Sequence, residues 1–177
     1  MIFVTVGTHE QSFDRLVRAV DELKERQVIS DEVFIQKGYS SYEPRFCGCA
    51  DFIRFDEMLS RIAGADLVIT HGGTGSIMLV LYNGKIPLVM PRQKRYGEHI
   101  DDHQVRFCEK MTGKGKVLAA YETEDLERVL AEYSSGKEGR PTQGNDREIG
   151  ISEDLKERTR LFSRKLEAIC KQLVRKS

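Results

Sequence analysis

Three short stretches gather side chains able to hold a phosphorylated ligand. In Gly7-Thr8-His9-Glu10-Gln11-Ser12, the glycine lets backbone approach a ligand closely, and a helix starting just beyond it would offer free N–H groups to phosphate. Such a turn alone is common, because many strand-to-helix connections draw on Gly, Ser and Thr. His71-Gly72-Gly73-Thr74-Gly75-Ser76 is sharper. Its glycines clear space where a diphosphate would need the backbone, and Thr74 and Ser76 add hydroxyl donors. It lacks the lysine and the spacing of a P-loop and does not fall on the first strand, which argues against a dinucleotide fingerprint. A glycine-rich turn without a ligand is the competing reading. The third stretch, running from Pro91 to Gln104, places Arg92, Lys94 and Arg95 before Glu98, His99, Asp101, Asp102, His103 and Gln104. Cations that pair with phosphate thus stand next to groups that hydrogen-bond sugar hydroxyls. A solvated loop and a negatively biased helix start explain the same charges. His99 and His103 have the spacing of a zinc pair, but no glutamate lies between them as in His-Glu-x-x-His, so no metal is expected. His9, just past the glycine turn, is the candidate general acid or base; a loop histidine that touches substrate or nothing is the alternative.

The elements that must carry these stretches are short apolar runs alternating with helical patterns. Residues 2–6, 32–36, 52–55, 67–70, 87–90 and 116–119 read as strands. Phe13, Leu16, Val17, Val20 and Leu23 recur at helical spacing, as do Met58, Leu59, Ile62 and Ala63. A helix is expected to begin near Ile77, another to span 100–111, and another 124–133. Alternation of this kind predicts an α/β fold, a Rossmann-like parallel sheet with helices on both faces, whose ligands bind beyond the carboxyl ends of the strands. The first, fourth and fifth strands end where the three stretches begin. Residues 1–133 form the expected domain, the glycine-rich 134–150 an exposed flexible loop, and 151–177 a long amphipathic helix with Ile151, Leu155, Phe162, Leu166, Ile169 and Leu173 on one stripe.

Composition narrows the class. At 177 residues, one domain is the expectation. Lys plus Arg and Asp plus Glu both number 28, so no global basic field points to nucleic acid. Cys47, Cys49, Cys108 and Cys170 fit neither a zinc ribbon nor a disulfide framework. The amino terminus reads directly into a strand without a leader, and no run approaches the roughly 18–20 apolar residues of a spanning helix. A cytoplasmic protein whose membrane contact is peripheral or borrowed is expected.

Taken together, Phe3-Val4-Thr5-Val6-Gly7-Thr8 with Phe13-Asp14, Ala65-Asp66 ahead of the His71 turn, and Pro91-Arg92 with the Gly97 to Gln104 run carry a family resemblance. The chain resembles, to about residue 133, the carboxy-terminal donor-binding domain of glycosyltransferase family 28. It is most similar to the stand-alone exopolysaccharide form of that domain, the PssE or EpsE type, and to the cytosolic subunit of the split eukaryotic UDP-GlcNAc transferase. The resemblance implies half of a GT-B fold that holds a UDP-sugar as donor substrate, without a cofactor or metal. It places Gly7, Thr8, Thr74, Gly75 and Ser76 against the diphosphate and Asp102, His103 and Gln104 against the sugar, with His71, Gly73 and Arg92 in the same donor-binding set. Many relatives carry glutamate three residues after the serine of the glycine-rich turn, where it reaches the ribose; this chain has Leu79, and Glu98 is the substitute to consider.

The resemblance further implies a membrane-anchored, acceptor-binding partner of the PssD or EpsD type. The pair would transfer a hexose or hexuronic acid to a polyprenyl-diphosphate-linked saccharide for exopolysaccharide or capsule, at the inner face of the plasma membrane. A non-catalytic subunit that stabilises or activates such a partner is the alternative, and no nucleic-acid partner is expected.

Overall fold

Alternation along the first strand sets the layers. In β1 (Ile2–Thr5), Ile2 and Val4 pack into one apolar cluster and Phe3 into another, because successive side chains of a strand leave opposite faces of the sheet. The computed structural model describes residues 1–134. Within them β1 joins β2 (Val33–Gln36), β3 (Gly48–Ala50), β4 (Leu67–Thr70), β5 (Leu88–Val89) and β6 (Leu118–Ala119) in a sheet ordered β3-β2-β1-β4-β5-β6. Every neighbouring pair is parallel. Burial of every residue of β1 and β4, apolar up to the closing Thr5 and Thr70, is what a sheet covered on both faces requires.

On the first face, Leu16, Val17, Val20 and Leu23 of α1 (Asp14–Glu25) and Leu126 and Leu130 of α5 (Thr123–Ser134) cover Ile2, Val4, Val33, Ile35 and Ile69. On the second, Ile62 of α2 (Phe55–Gly64) and Leu79 and Val80 of α3 (Thr74–Tyr82) pack with Phe3 and Val68. Each such fully buried aliphatic or aromatic side chain contributes about 1.5–3 kcal/mol. The fourth helix, α4 (His103–Thr112), lies alongside β6. Among the described residues, no helix is long and apolar enough to cross a membrane.

Three expected boundaries move. The third strand is Gly48–Ala50 rather than 52–55; Ile53 and Phe55 instead pack against the second apolar cluster, Phe55 as the first residue of α2. The third helix starts at Thr74, three residues ahead of Ile77, and the fourth at His103 rather than 100. The loop expected at 134–150 and the helix expected at 151–177 lie outside the described residues, save Ser134, which closes α5.

The connection from β2 to β3 is fastened to α1 by two acids. Asp14 accepts from Ser41 N at 2.8 Å, Ser41 Oγ at 2.6 Å and Tyr42 N at 3.0 Å. Asp21, two helical turns on and fully buried, accepts from Tyr42 Oη at 3.0 Å and from the N–H groups of Arg45, Phe46 and Cys47 at 2.9, 2.9 and 3.0 Å. Burial alone would raise the Asp21 carboxyl, but these hydrogen bonds outweigh it and hold it below the usual carboxylate range.

Candidate functional site

The chain steps from β1 outward to β2 and β3, and from β4 outward to β5 and β6, so the order reverses between β1 and β4. Ligands of open α/β sheets bind at this switch point, beyond the carboxyl ends of the strands. Register sets a polar row there: Thr5 is paired with Gln36 on one side and Thr70 on the other. The Thr5 hydroxyl donates to Gln36 Oε1, and Gln36 Nε2 donates to the carbonyls of Gly7 and Asp51, both at 3.1 Å. This network, with Gly7 N donating to Thr5 Oγ1 at 3.3 Å, fixes the turn that leaves β1.

His71 joins that turn to the glycine-rich one. The residue is buried, and its ring lies against both Gly7 and Gly73. A Cβ on Gly7 would come within 2.5 Å of His71 Cε1, and one on Gly73 within 2.2 Å of His71 Nε2. Gly7 also holds a φ of +76°, a left-handed conformation that favours glycine. Gly72 has a different neighbour, since a Cβ there would approach the Gln104 Cβ to 2.8 Å. The glycines expected to clear room for a ligand thus also clear room for His71 and Gln104. Burial, reinforced by the charge on Arg92, lowers the His71 pKa to about 3, so the imidazole is neutral in the folded protein.

From this packed turn α3 departs. Gly73 is its N-cap, Ile77 N donates to Gly73 O at 3.1 Å, and no side chain caps the helix. Thr74, Gly75 and Ser76 therefore form a first turn whose N–H groups precede the first intrahelical bond, the arrangement that receives anions. The Thr74 side chain is exposed and Ser76 is partly exposed. Thr8, one residue past Gly7, is exposed as well.

The loop after β5 is organised from below. Arg92 is fully buried: Nη1 donates to the carbonyls of Gln11, Ser12 and Glu98 at 2.7, 3.2 and 3.2 Å, and Nη2 to Val6 O at 3.0 Å. Its guanidinium lies 4.7 Å from the centre of the Phe13 ring, and burial lowers its pKa to about 10. These bonds tie the β5 loop to the β1 loop, so the described geometry gives Arg92 a positioning role beneath the crevice where direct phosphate pairing was expected. Glu98 is occupied in the same way. Its oxygens accept from Arg15 Nε at 2.8 Å, Arg15 Nη2 at 2.9 Å and Gln93 N at 2.9 Å, and it is 4% exposed, which leaves it poorly placed to stand in for a ribose-binding glutamate. Leu79 itself is in the second apolar cluster.

At the start of α4, Gln104 is buried with Oε1 accepting from Arg92 N at 3.1 Å, and Asp102 Oδ1 accepts from Lys94 N at 2.8 Å. His103 is exposed and partnered by Asp101. His9 sits in a row of rings: its centroid is 4.5 Å from that of His99, which is 4.5 Å from that of His103. Gln11 N donates to His9 Nδ1 at 3.2 Å, which assigns the proton of a neutral His9 to Nε2. Burial, with His9 and His103 close by, lowers the His99 pKa. The site therefore brings together Gly7, His71, Gly73 and the start of α3 through the His71 ring, His9 with His99 and His103 through their ring contacts, and Arg92, Glu98, Asp102 and Gln104 through their loop hydrogen bonds. Sequence reasoning missed Arg15, Gln36 and Asp21; an acid within the apolar stripe Leu16, Val17, Val20 and Leu23 was the signal for the last.

Sheet order and strand–helix alternation define a Rossmann-like α/β domain, with the His71-packed turns and the uncapped start of α3 at its β1–β4 switch point. The model of the glycosyltransferase family 28 C-terminal domain matches residues 1–158, and the chain belongs to that family. It is 32% identical over 76 residues to the UDP-N-acetylglucosamine transferase subunit ALG13 of Yarrowia lipolytica (strain CLIB 122 / E 150), covering 43% of this chain and 37% of that protein. The human protein of the same name is 30% identical over 126 residues, covering 66% of this chain and 11% of its own length. The chain thus spans well under half of either relative. Among solved structures, the glycotransferase of kitacinnamycin superposes with a TM-score of 0.55 at 18% identity, over 94% of this chain and 39% of that one. The calicheamicin glycosyltransferase CalG4 does so with a TM-score of 0.56 at 16% identity, over 97% of this chain and 43% of that one. The shared fold is one half of a GT-B glycosyltransferase.

Proposed function

We propose that this chain is the donor-binding subunit of a two-part glycosyltransferase. It holds a UDP-sugar, with Gly7, Thr8 and the first turn of α3 at the diphosphate and Asp102, His103 and Gln104 toward the sugar. One observation carries the reading: the uncapped Thr74-Gly75-Ser76 turn is locked by His71 to the Gly7 turn across the sheet's switch point. Fixed N–H donors there stabilise a departing nucleoside diphosphate without reorganising during the reaction. His9, with its proton on Nε2, is the candidate general acid or base. No cofactor is required by this reading.

The name of the similar ALG13 proteins includes the word subunit, and a GT-B reaction needs an acceptor-binding half. A membrane-anchored partner of the PssD or EpsD type supplies it here, bringing a polyprenyl-diphosphate-linked saccharide to the inner face of the plasma membrane for exopolysaccharide or capsule synthesis. The sugar moved is a hexose or hexuronic acid. Leu79, packed among apolar neighbours, leaves the ribose without the glutamate of many relatives and favours one second reading, a chain that stabilises a partner which itself transfers the sugar. Reconstitution separates the two. The donor reading expects Gly75→Leu in this chain to abolish transfer while leaving co-purification with the partner intact; full transfer by that complex would assign the donor site to the partner.

A further inference from the structure

A diphosphate carries negative charge into the crevice, yet the cations of the β5 loop are engaged elsewhere. Arg92 donates to loop carbonyls from beneath, Arg95 is paired with Glu122, and Lys94 is exposed to solvent. Imidazole gathers at that end of the sheet instead. The centroids of His9 and His103 each lie 4.5 Å from that of His99, the buried middle ring. Burial above all, then Arg92, and after them His9 and His99, depress the His71 pKa. The row therefore stands close to the ring that joins the two ligand turns.

The Nδ1 atoms of the row face different partners. His9 Nδ1 accepts from Gln11 N at 3.2 Å, so a proton added there would cost that bond. His103 Nδ1 already has Asp101 Oδ1 at 2.6 Å. His99 Nδ1 is 3.5 Å from the same carboxylate oxygen and 3.5 Å from Asp101 N, and a proton added to it would meet the carboxylate. Burial first, then His9 and His103, and more weakly Arg92, hold the His99 pKa down against the pull of Asp101, so without a ligand this imidazole is neutral above about pH 6.5.

We propose that His99 takes up one proton, on Nδ1, when a diphosphate occupies the Gly7 turn and the start of α3, so that the site gains a cation only with its ligand present. This linkage rests on the donor reading. The proton comes from solvent, Asp101 Oδ1 accepts the new N–H, and no bond of the ligand changes. Because linkage is reciprocal, a proton on His99 strengthens diphosphate binding by the factor with which the diphosphate strengthens the proton's. The proton is held in the complex and not in the free chain. Affinity is therefore highest at low pH and is lost as pH rises through the titration of the complex, by up to about tenfold per pH unit for one proton.

Calorimetric titration of the full chain with UDP, at about pH 7 in two buffers of unlike ionisation enthalpy, tests this beside His99→Phe, which keeps a flat ring that cannot hold a proton. The ionisation of UDP itself is common to both proteins and cancels in the comparison. The unsubstituted chain should take up more protons per UDP than the variant, and its affinity should fall more steeply between about pH 6.5 and 8. The Cε1 proton resonance of His99 answers without a variant: its titration midpoint should rise on saturation with UDP. Equal proton uptake by the two folded proteins, or a His99 midpoint that UDP leaves in place, would overturn the linkage while the donor reading stood on UDP binding. No UDP binding by the unsubstituted chain would overturn both.

Discussion

Gly73→Ala isolates the contact that holds the two ligand turns together. Gly73 has φ −71° and ψ 127°, a backbone that alanine adopts without strain, so its cost must come from the new methyl. That methyl would stand 2.2 Å from His71 Nε2, 2.9 Å from Cδ2 and 3.0 Å from Cε1. The ring is buried and is bounded by Gly7 as well, where an added Cβ would lie 2.5 Å from Cε1. Overpacking of this kind costs about 1–3 kcal/mol. His71→Ala removes the ring, so in the double variant the penalty of Gly73→Ala should vanish, giving a coupling of about 1–3 kcal/mol. Gly7→Ala supplies the contrast. Its φ of +76° adds about 1–2 kcal/mol of backbone strain that loss of the ring cannot relieve. Urea unfolding of the full chain, the three single variants and the two doubles measures both couplings. If Gly73→Ala and His71→Ala add within about 0.5 kcal/mol, the His71 ring does not join the two turns.

The same ring predicts a pH dependence. His71 in the folded protein has its pKa lowered to about 3 by burial and by Arg92, against an ordinary value of 6.5. Below pH 6.5 the unfolded chain takes up a proton that the folded chain refuses. The stability contributed by this group is therefore complete above that value and is lost as pH falls toward 3, at up to about 1.4 kcal/mol per pH unit. His71→Gln should flatten the slope of urea stability between pH 6.5 and about 4.5; equal slopes in the two proteins would contradict the account. Glu98→Gln breaks the pair with Arg15, whose side chains are 5% and 15% exposed. The loss should be about 2–3 kcal/mol, below that of a wholly buried pair because Arg15 keeps some water. Amide exchange at Gln93, whose N–H the Glu98 carboxylate holds, should rise with it, and unchanged exchange would argue that the loop is fastened elsewhere.

The layers were legible because β1 and β4 are continuous apolar runs and α1 carries a clean stripe. The third strand was not. Gly48-Cys49-Ala50 is an exposed edge without an apolar signal, whereas Phe52, Ile53 and Phe55 look strand-like although Ile53 and Phe55 serve the core beneath α2. The start of α3 was hidden for a related reason: Gly-Gly-Thr-Gly-Ser reads as a turn, and only the neighbouring strand and His71 fix it as a helix start. At the site, residue types pointed to loops that the fold gathers at the β1–β4 switch point, but not to the direction each side chain takes. Arg92 and Lys94 look equivalent in sequence, yet Arg92 is fully buried on the carbonyls of two loops and Lys94 is exposed. Glycines carried a similar ambiguity, since space for a ligand and space for a histidine ring demand the same residue.

The central claim is that the isolated chain holds a nucleoside diphosphate sugar at the start of α3. Calorimetric titration of the purified full chain with UDP tests it most directly, with Gly75→Leu as the paired variant. Saturable one-to-one binding that disappears in Gly75→Leu, with circular dichroism and urea stability retained, is the predicted result. No UDP binding by the chain, or equal binding by the folded variant, would contradict it.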